Sequence, residues 1–376
     1  MKVLHIITDL NQGGAESMLH SLIANHGRGS TLPVVISLTS IGVLGAKIAD
    51  EGFEVHALNF SRRIPNPFLF LKLIKLIIRI NPDIVQTWMY HADFVGGCIA
   101  RLIGFRNVFW SIHHNSLSYK NDKVRTLIVA KLCAYLSYIV PRRIFVCAES
   151  ARLLHVKFGY NRDILEVIPN GFDSEKYRYN EAARTMLRNE VGIPHNSMLV
   201  GLVARYHGIK NHEGFIQAAK MLLSKMKNVH FLLVGKGVDH NNSDLVATIG
   251  TDNSRSNFHL LGERSDIPYI LSSLDLLASS SHSEAFPIVI GEAMLCNVPC
   301  VVTDTGDSSL IVSSYGRVVP VGDMESLASE MHSMLTQPAS HRLRCGEMGR
   351  RHVIEKYEIK NIVKQFESAY AAGCVS

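Results

Sequence analysis

The sequence contains no run of eighteen apolar residues, which argues against a helix built to cross a bilayer. Its longest candidate, FLFLKLIKLIIRI at 68–80, is broken by Lys72, Lys75 and Arg79. Cysteine is sparse and scattered, seven in 376 residues with no C-x-x-C pair. That excludes a disulfide-stapled miniature domain or a zinc ribbon and favours reduced thiols in the cytoplasm. Cys296 and Cys300 flank a helix-to-strand turn and read as buried thiols rather than a metal site. There is no G-x-G-x-x-G and no Walker A sequence, and GKGVD at 235–239 lacks the required spacing. A dinucleotide-dependent dehydrogenase is therefore disfavoured. Basic residues are not interleaved with aromatics, so nucleic acid is not an expected partner. The opening MKVLHIITDL carries one lysine and a short apolar stretch before Asp9, and reads as a first strand rather than a secretion signal.

What is present is a globular composition, 47% hydrophobic and 19% charged, in a chain long enough for two domains. The charge is uneven. Up to Asn170 there are 19 Lys+Arg against 11 Asp+Glu, a net of +8; the remainder holds 20 against 22, a net of −2. The first half is thus expected to meet something anionic. Short β-rich runs at 2–8, 33–39, 53–58, 83–88, 107–113 and 143–148 alternate with helical patterns. The alternation stops near EVIPNGFD (166–173), and a polar segment follows. A second series begins at 198–204 and continues at 229–235, 257–262, 274–279 and 299–304. Such alternation predicts two doubly wound parallel sheets, each an α/β domain. The expected division is 1–175, 176–350, and a tail at 351–376 whose helical pattern has no following strand and packs back on the first domain.

The stretch SEAFPIVIGEAM (283–294) holds two acids on either side of Pro287. Proline is tolerated in a helix's first turn, so it marks a start: Glu284 lies in the entering loop and Glu292 inside the helix. The loop follows the carboxyl end of a strand, where doubly wound sheets bind ligands. A helix amino terminus offers N–H groups to a phosphate, and a carboxylate within the helix suits a vicinal diol. A half-buried surface helix that merely carries two glutamates fits this spacing equally well. GLVARYHGIKNHEG (201–214) breaks the tie, because Arg205 and Lys210 at another strand's end suit a diphosphate. Gly13-Gly14 permits close backbone approach to a ligand, and His113-His114 end a further strand, although a structural histidine is commoner there.

On these residues the chain resembles retaining glycosyltransferases of the family 4 group with the two-domain GT-B fold, of the bacterial polysaccharide and O-antigen type. The resemblance is carried by GGAE (13–16), HHN (113–115), IPNGFD (168–173), GLVARYHGIKNHEGFIQA (201–218), LLVGKG (232–237), SSSHSEAFPIVIGEAM (279–294) and NVPCVVTDTGD (297–307). It implies two Rossmann-like domains facing a cleft, with the last helix crossing back to the first. It implies Glu292 as ribose ligand, Glu284 as contact to the donor sugar, and Arg205 with Lys210 as diphosphate clamp. The backbone through Phe286, Pro287 and Ile288 would lie along sugar and phosphate, with Glu263 and Arg264 near the base. His113 would face the donor sugar and Gly14 the phosphates. DTGD (304–307) departs from the Gly-Gly of many relatives, which leaves that loop's shape open.

No Asp-x-Asp occurs, so no metal is expected on the diphosphate, and no cofactor. The implied reaction transfers a sugar with retention, by same-face attack in which the leaving diphosphate takes the acceptor's proton. The donor expected on family frequency is UDP-linked, an N-acetylhexosamine for choice. The acceptor is a glycan, lipid-linked on a polyprenyl diphosphate or a free oligosaccharide. Lys72, Lys75 and Arg79 fall at helical spacing beside apolar faces, and Arg62, Arg63, Lys120, Lys123, Arg125, Arg142 and Arg143 add to them. This points to an anionic membrane surface and a peripheral location on the cytoplasmic face of the bacterial inner membrane. A nucleotide-sugar epimerase on the same fold, or a binding protein without catalysis, stays open.

Overall fold

The structure, a computed structural model, describes residues 1–11, 13–26, 31–60, 67–115, 117, 123–251 and 253–375. The chain divides into two compact units, Met1–Gly171 with Ile359–Ser376, and Phe172–Glu358.

The first unit holds a seven-stranded sheet of β1 (Lys2–Ile7), β2 (Leu32–Ser37), β3 (Glu54–Ala57), β4 (Ile84–Trp88), β5 (Val108–Ile112), β6 (Arg143–Val146) and β7 (Leu165–Val167). The spatial order is β3-β2-β1-β4-β5-β6-β7, and every pairing is parallel. Strands such as IVQTW at β4 are buried along their whole length, as a sheet covered on both faces requires. The order reverses direction between β1 and β4, which opens a crevice beyond the carboxyl ends of those two strands. One face of the sheet is covered by the helix Gly14–Ala24 and by the last helix, Ile359–Val375, whose Ile362, Phe366 and Tyr370 enter the same core as Leu19, Trp88 and Phe145. Residues 351–357, the end of the long helix Ala339–Tyr357, and Glu358 after it belong to the second unit.

The second unit holds six parallel strands: β8 (Met198–Val203), β9 (Val229–Val234), β10 (Phe258–Leu260), β11 (Leu276–Ser279), β12 (Cys300–Thr303) and β13 (Arg317–Val319). Their order is β10-β9-β8-β11-β12-β13, so the reversal falls between β8 and β11. Phe215, Phe231, Leu276 and Leu327 are wholly buried in its core; each contributes about 1.5–3 kcal/mol of transfer free energy.

All eleven runs read as strands in the sequence contain strands here. Two more, β7 and β13, escaped. Each has three residues, and β13 has two of them exposed, too short and too polar a signal for alternation to register.

Candidate functional site

The second unit's switch point, between the ends of β8 and β11, is where its charged residues gather. After β8 the chain runs on beside the exit of β9, with Ala204 N–H donating to Val234 O at 2.8 Å and Tyr206 N–H to Lys236 O at 2.8 Å. Gly235 has φ +151, and a Cβ there would fall 2.2 Å from Ala204 O, so no other residue fits this crossing. Arg205 is exposed just beyond the strand end, and among the described residues no carboxylate pairs with it.

The next loop is stitched to the one after β11. Asn211 adopts a left-handed conformation (φ 51), caps the helix His212–Lys225 through Gly214 N–H at 3.0 Å, and donates from Nδ2 to Ser280 O at 3.2 Å. Ser280 Oγ reaches back to Lys210 O and Asn211 O at 3.2 and 2.8 Å, and His282 N–H donates to Ile209 O at 2.7 Å. These bonds hold Lys210 and Glu284 opposite each other, Nζ to Oε1 2.5 Å, with side chains 25% and 14% exposed. Ser281 Oγ donates to the same carboxylate oxygen at 2.7 Å, while its carbonyl accepts from Thr303 Oγ1 at 2.7 Å. The result is a half-buried ion pair with one lobe of the carboxylate fixed by a serine.

Glu284 leads into the helix Ile288–Leu295. Pro287 lies just before its first residue, at the cap position (φ −73, ψ 98), and no side chain caps this end. Ile290 N–H donates back to Pro287 O at 3.2 Å, which leaves the Ile288 and Val289 N–H groups for another acceptor, as at an anion-binding helix start. Glu292 faces inward toward Tyr177. Burial raises its carboxyl above the ordinary range, opposed by a hydrogen bond from Tyr177 and by the charge of Lys176.

The loop whose shape the sequence left open is defined by backbone packing. Gly306 (φ +56) lies against the carbonyls of Glu284 and Ala285, where a Cβ would come within 2.4 and 2.3 Å, and Asp307 N–H donates to Ala285 O at 3.0 Å. Asp307 itself is buried.

Other expected residues have different surroundings. The Phe286 ring is buried against Phe172 (centroids 5.7 Å) and Tyr357 (5.5 Å), so only its backbone is available to a ligand. Arg264 is engaged by Glu190 at 2.6 Å and Asp266 at 2.7 Å, which leaves the exposed Glu263 and the backbone as the free elements of that loop.

In the first unit, His113 follows β5 and stacks on Trp88. Burial pushes its imidazole down to about 4, with Asn170 pulling the other way. Gly14 opens the helix Gly14–Ala24, and the carboxylate of Glu16 folds over Gly13, at 2.2 Å from where a Cβ would stand. Burial and the neighbouring Asp9 raise the Glu16 carboxyl, so this glycine pair is flanked by acids.

The helix Pro67–Ile80 turns Lys72, Lys75 and Arg79 into one cavity of about 300 Å³ beside His56 and Leu58 of the β3 edge, and exposes Phe68, Leu71 and Ile78. Of the remaining basic residues, Lys123 and Arg125 are exposed. Arg143 is spent on Glu166 at 2.7 Å, and Arg142 donates to Asn107 Oδ1 at 3.1 Å. Both lie at the β6 start and do not extend the basic stripe as the sequence suggested. Arg62, Arg63 and Lys120 lie outside the described residues.

Ser280, Ser281, Tyr177 and Trp88 were not singled out in the sequence. The serine run directly before Glu284 was the one available signal for the first two. Among the described residues, no group of three or more His, Cys, Asp or Glu is arranged to hold a metal, and no helix is long and apolar enough to cross a membrane.

Two family descriptions match successive parts of the chain: Glycosyltransferase Family 4 over residues 12–176 and Glycosyl transferases group 1 over 183–352. The putative glycosyltransferase EpsF of Bacillus subtilis is 25% identical over 81% of this chain and 79% of its own. The UDP-Gal:alpha-D-GlcNAc-diphosphoundecaprenol alpha-1,3-galactosyltransferase of Escherichia coli is 27% identical over 69% and 68%. The crystal structure of Anabaena Alr3699/HepE in complex with UDP-glucose superposes with a TM-score of 0.85 at 20% identity, covering 99% of this chain and 100% of that one. Two parallel Rossmann-like units, the GT-B likeness and the two matched halves agree: the chain belongs to the family 4, group 1 glycosyl transferases and is a glycosyltransferase.

Proposed function

We propose that the protein moves a sugar from a UDP-linked donor, an N-acetylhexosamine for choice, to a hydroxyl of a polyprenyl-diphosphate-linked glycan, with retention, in O-antigen or capsule assembly. The observation that carries the donor site is the Lys210–Glu284 pair at the β8/β11 switch point, beside an uncapped helix start and with Glu292 inside that helix. The diphosphate takes Lys210 and Arg205 as counter-charges, together with the free N–H groups of the helix. The freed Glu284 accepts hydrogen bonds from sugar hydroxyls, and Glu292 accepts from the ribose diol. His113 is the contact to the transferred sugar, and Gly14 lies toward the phosphates. The backbone of Phe286, Pro287 and Ile288 runs along the sugar, and the Glu263–Arg264 loop borders the base.

The acceptor hydroxyl oxygen bonds to the anomeric carbon as the bond from that carbon to the β-phosphate oxygen breaks. The hydroxyl proton passes to the departing diphosphate on the same face. Lys210, held in its loop, and Arg205 at the strand end then stabilise the negative charge that grows on the leaving group, without a metal.

A relative that acts on a diphosphoundecaprenol-linked sugar supports a lipid-linked acceptor. The Lys72, Lys75 and Arg79 cavity suits an anionic headgroup or carrier diphosphate. Exposed Phe68, Leu71 and Ile78 suit peripheral contact with an anionic bilayer on its cytoplasmic face.

The test is nucleoside-diphosphate release from a panel of sugar nucleotides, with and without polyprenyl-diphosphate-linked glycans, in excess EDTA. Acceptor-dependent release in EDTA is expected. Release in no combination overturns transferase activity on these acceptors, interconversion of sugar nucleotides without acceptor establishes an epimerase, and an absolute manganese requirement removes the metal-free mechanism.

A further inference from the structure

His113 is held by two consecutive residues of the neighbouring strand's end. Trp88 pairs with Ser111 across the β4/β5 ladder, so pleating puts its side chain on the same face as Ser111 and, two residues on, His113. The indole lies under the imidazole with centroids 5.2 Å apart and planes 19° from parallel. It is wholly buried and locked in turn, because its Nε1–H donates to His5 Nδ1 at 3.2 Å and its ring meets Phe366 of the last helix at 6.5 Å. The next residue, Met89, adopts φ 71 and ψ 157, a conformation that glycine takes readily and a long side chain does not. This backbone keeps Met89 N–H on Ser111 O at 2.8 Å and brings the thioether back as acceptor for the His113 N–H, at 3.3 Å. Backbone strain of this kind gathers where geometry matters for function. Here it ties the end of β4 to the first residue after β5.

We propose that Trp88 and Met89 are positioning residues that fix the His113 imidazole for the transferred sugar: Trp88 sets the ring plane, Met89 the main chain beneath it. The inference rests on the reading of His113 as the sugar contact. Neither residue touches substrate. A neutral imidazole held flat by an aromatic face keeps both ring nitrogens in one fixed plane, so a sugar hydroxyl can meet them only within that plane. Burial keeps the ring uncharged at neutral pH, so its orientation rather than its charge is what the clamp supplies.

The test uses the full chain and separates the two ideas. His113→Ala is expected to lower kcat at least tenfold; wild-type turnover there refutes the role of His113 itself. Trp88→Leu removes the aromatic face and is expected to lower kcat about tenfold with the donor KM within about twofold. Trp88→Phe keeps a flat ring and restores most of the loss. Combined with His113→Ala, Trp88→Leu should cost nothing further, since coupled residues are non-additive while independent structural losses add. Met89→Gly relieves the positive φ yet gives up the thioether contact, so it should keep its fold and lose turnover several-fold. That variant preserves the test if Trp88→Leu fails to fold. The His113 ring protons, shielded by the indole in the parent, should move downfield in Trp88→Leu. Impaired His113→Ala alongside full activity in Trp88→Leu or Met89→Gly, or additive losses in the double variant, overturns the clamp and leaves His113 standing.

Discussion

Replacing Lys210 by methionine is the perturbation that bears most directly on the donor site. The side chain has similar length, so the loop stitched by Ser280 and Asn211 keeps its packing, and the ammonium alone is lost. In the free protein that ammonium already neutralises Glu284 at 2.5 Å, with both groups partly shielded from water. A bound diphosphate therefore exchanges one anionic partner for another, and the gain in ground-state affinity lies at the low end of a charged hydrogen bond, about 1.5 kcal/mol. In the transition state additional negative charge develops on the leaving diphosphate, and the same contact rises toward about 3 kcal/mol. At roughly 1.4 kcal/mol per factor of ten, Lys210→Met should weaken nucleoside-diphosphate binding about tenfold and lower kcat/KM roughly 100-fold. The nucleoside monophosphate, which ends before the second phosphate, should bind with little change. Calorimetric titration of both nucleotides, with steady-state rates on the preferred donor, measures these quantities. An unchanged diphosphate-to-monophosphate affinity ratio, with full turnover, refutes the clamp.

Glu292→Gln should raise the donor KM with little effect on kcat, whereas Glu284→Gln should act mainly on kcat; steady-state kinetics of both variants read the difference. Asp275 accepts from Arg184 (2.7 Å), from the almost wholly buried Arg188 (2.8 Å) and from Leu199 N–H (2.8 Å). Asp275→Asn strands a buried guanidinium and should cost about 3–5 kcal/mol in denaturant unfolding. Burial lowers His113, His155 and His212 each to about 4. These histidines titrate near their ordinary value of about 6.5 when unfolded. The unfolded chain then binds more protons, so the stability they contribute is full above about 6.5 and lost as pH falls toward 4. Thermal unfolding followed from pH 7.5 to 4.5 should show a marked decline in Tm, about half of it gone by pH 5.5.

Much of the architecture was legible in the residues. Alternation of β-rich and helical patterns specified both sheets, because strand and helix periods are local and the long strands are buried along their length. Of the three-residue strands, only the exposed β13 and the half-buried β7 left no periodic trace, while β10 did. Arg205, Lys210, Glu284 and Glu292 were singled out as candidates by residue type and by their places at strand ends and a helix start, which local pattern also sets. The tertiary structure decided how these groups are used. It paired Lys210 with Glu284 across 74 positions of sequence and put Ser281 on the same carboxylate. It consumed Arg143 and Arg264 in ion pairs, and it turned the Phe286 ring into an aromatic core. It also slid Trp88 under His113, 25 residues away, by laying β4 beside β5. Composition and periodicity fix what each segment becomes, since they act within a few residues. Partnership depends on the order in which strands assemble, and that is set by packing of the whole unit.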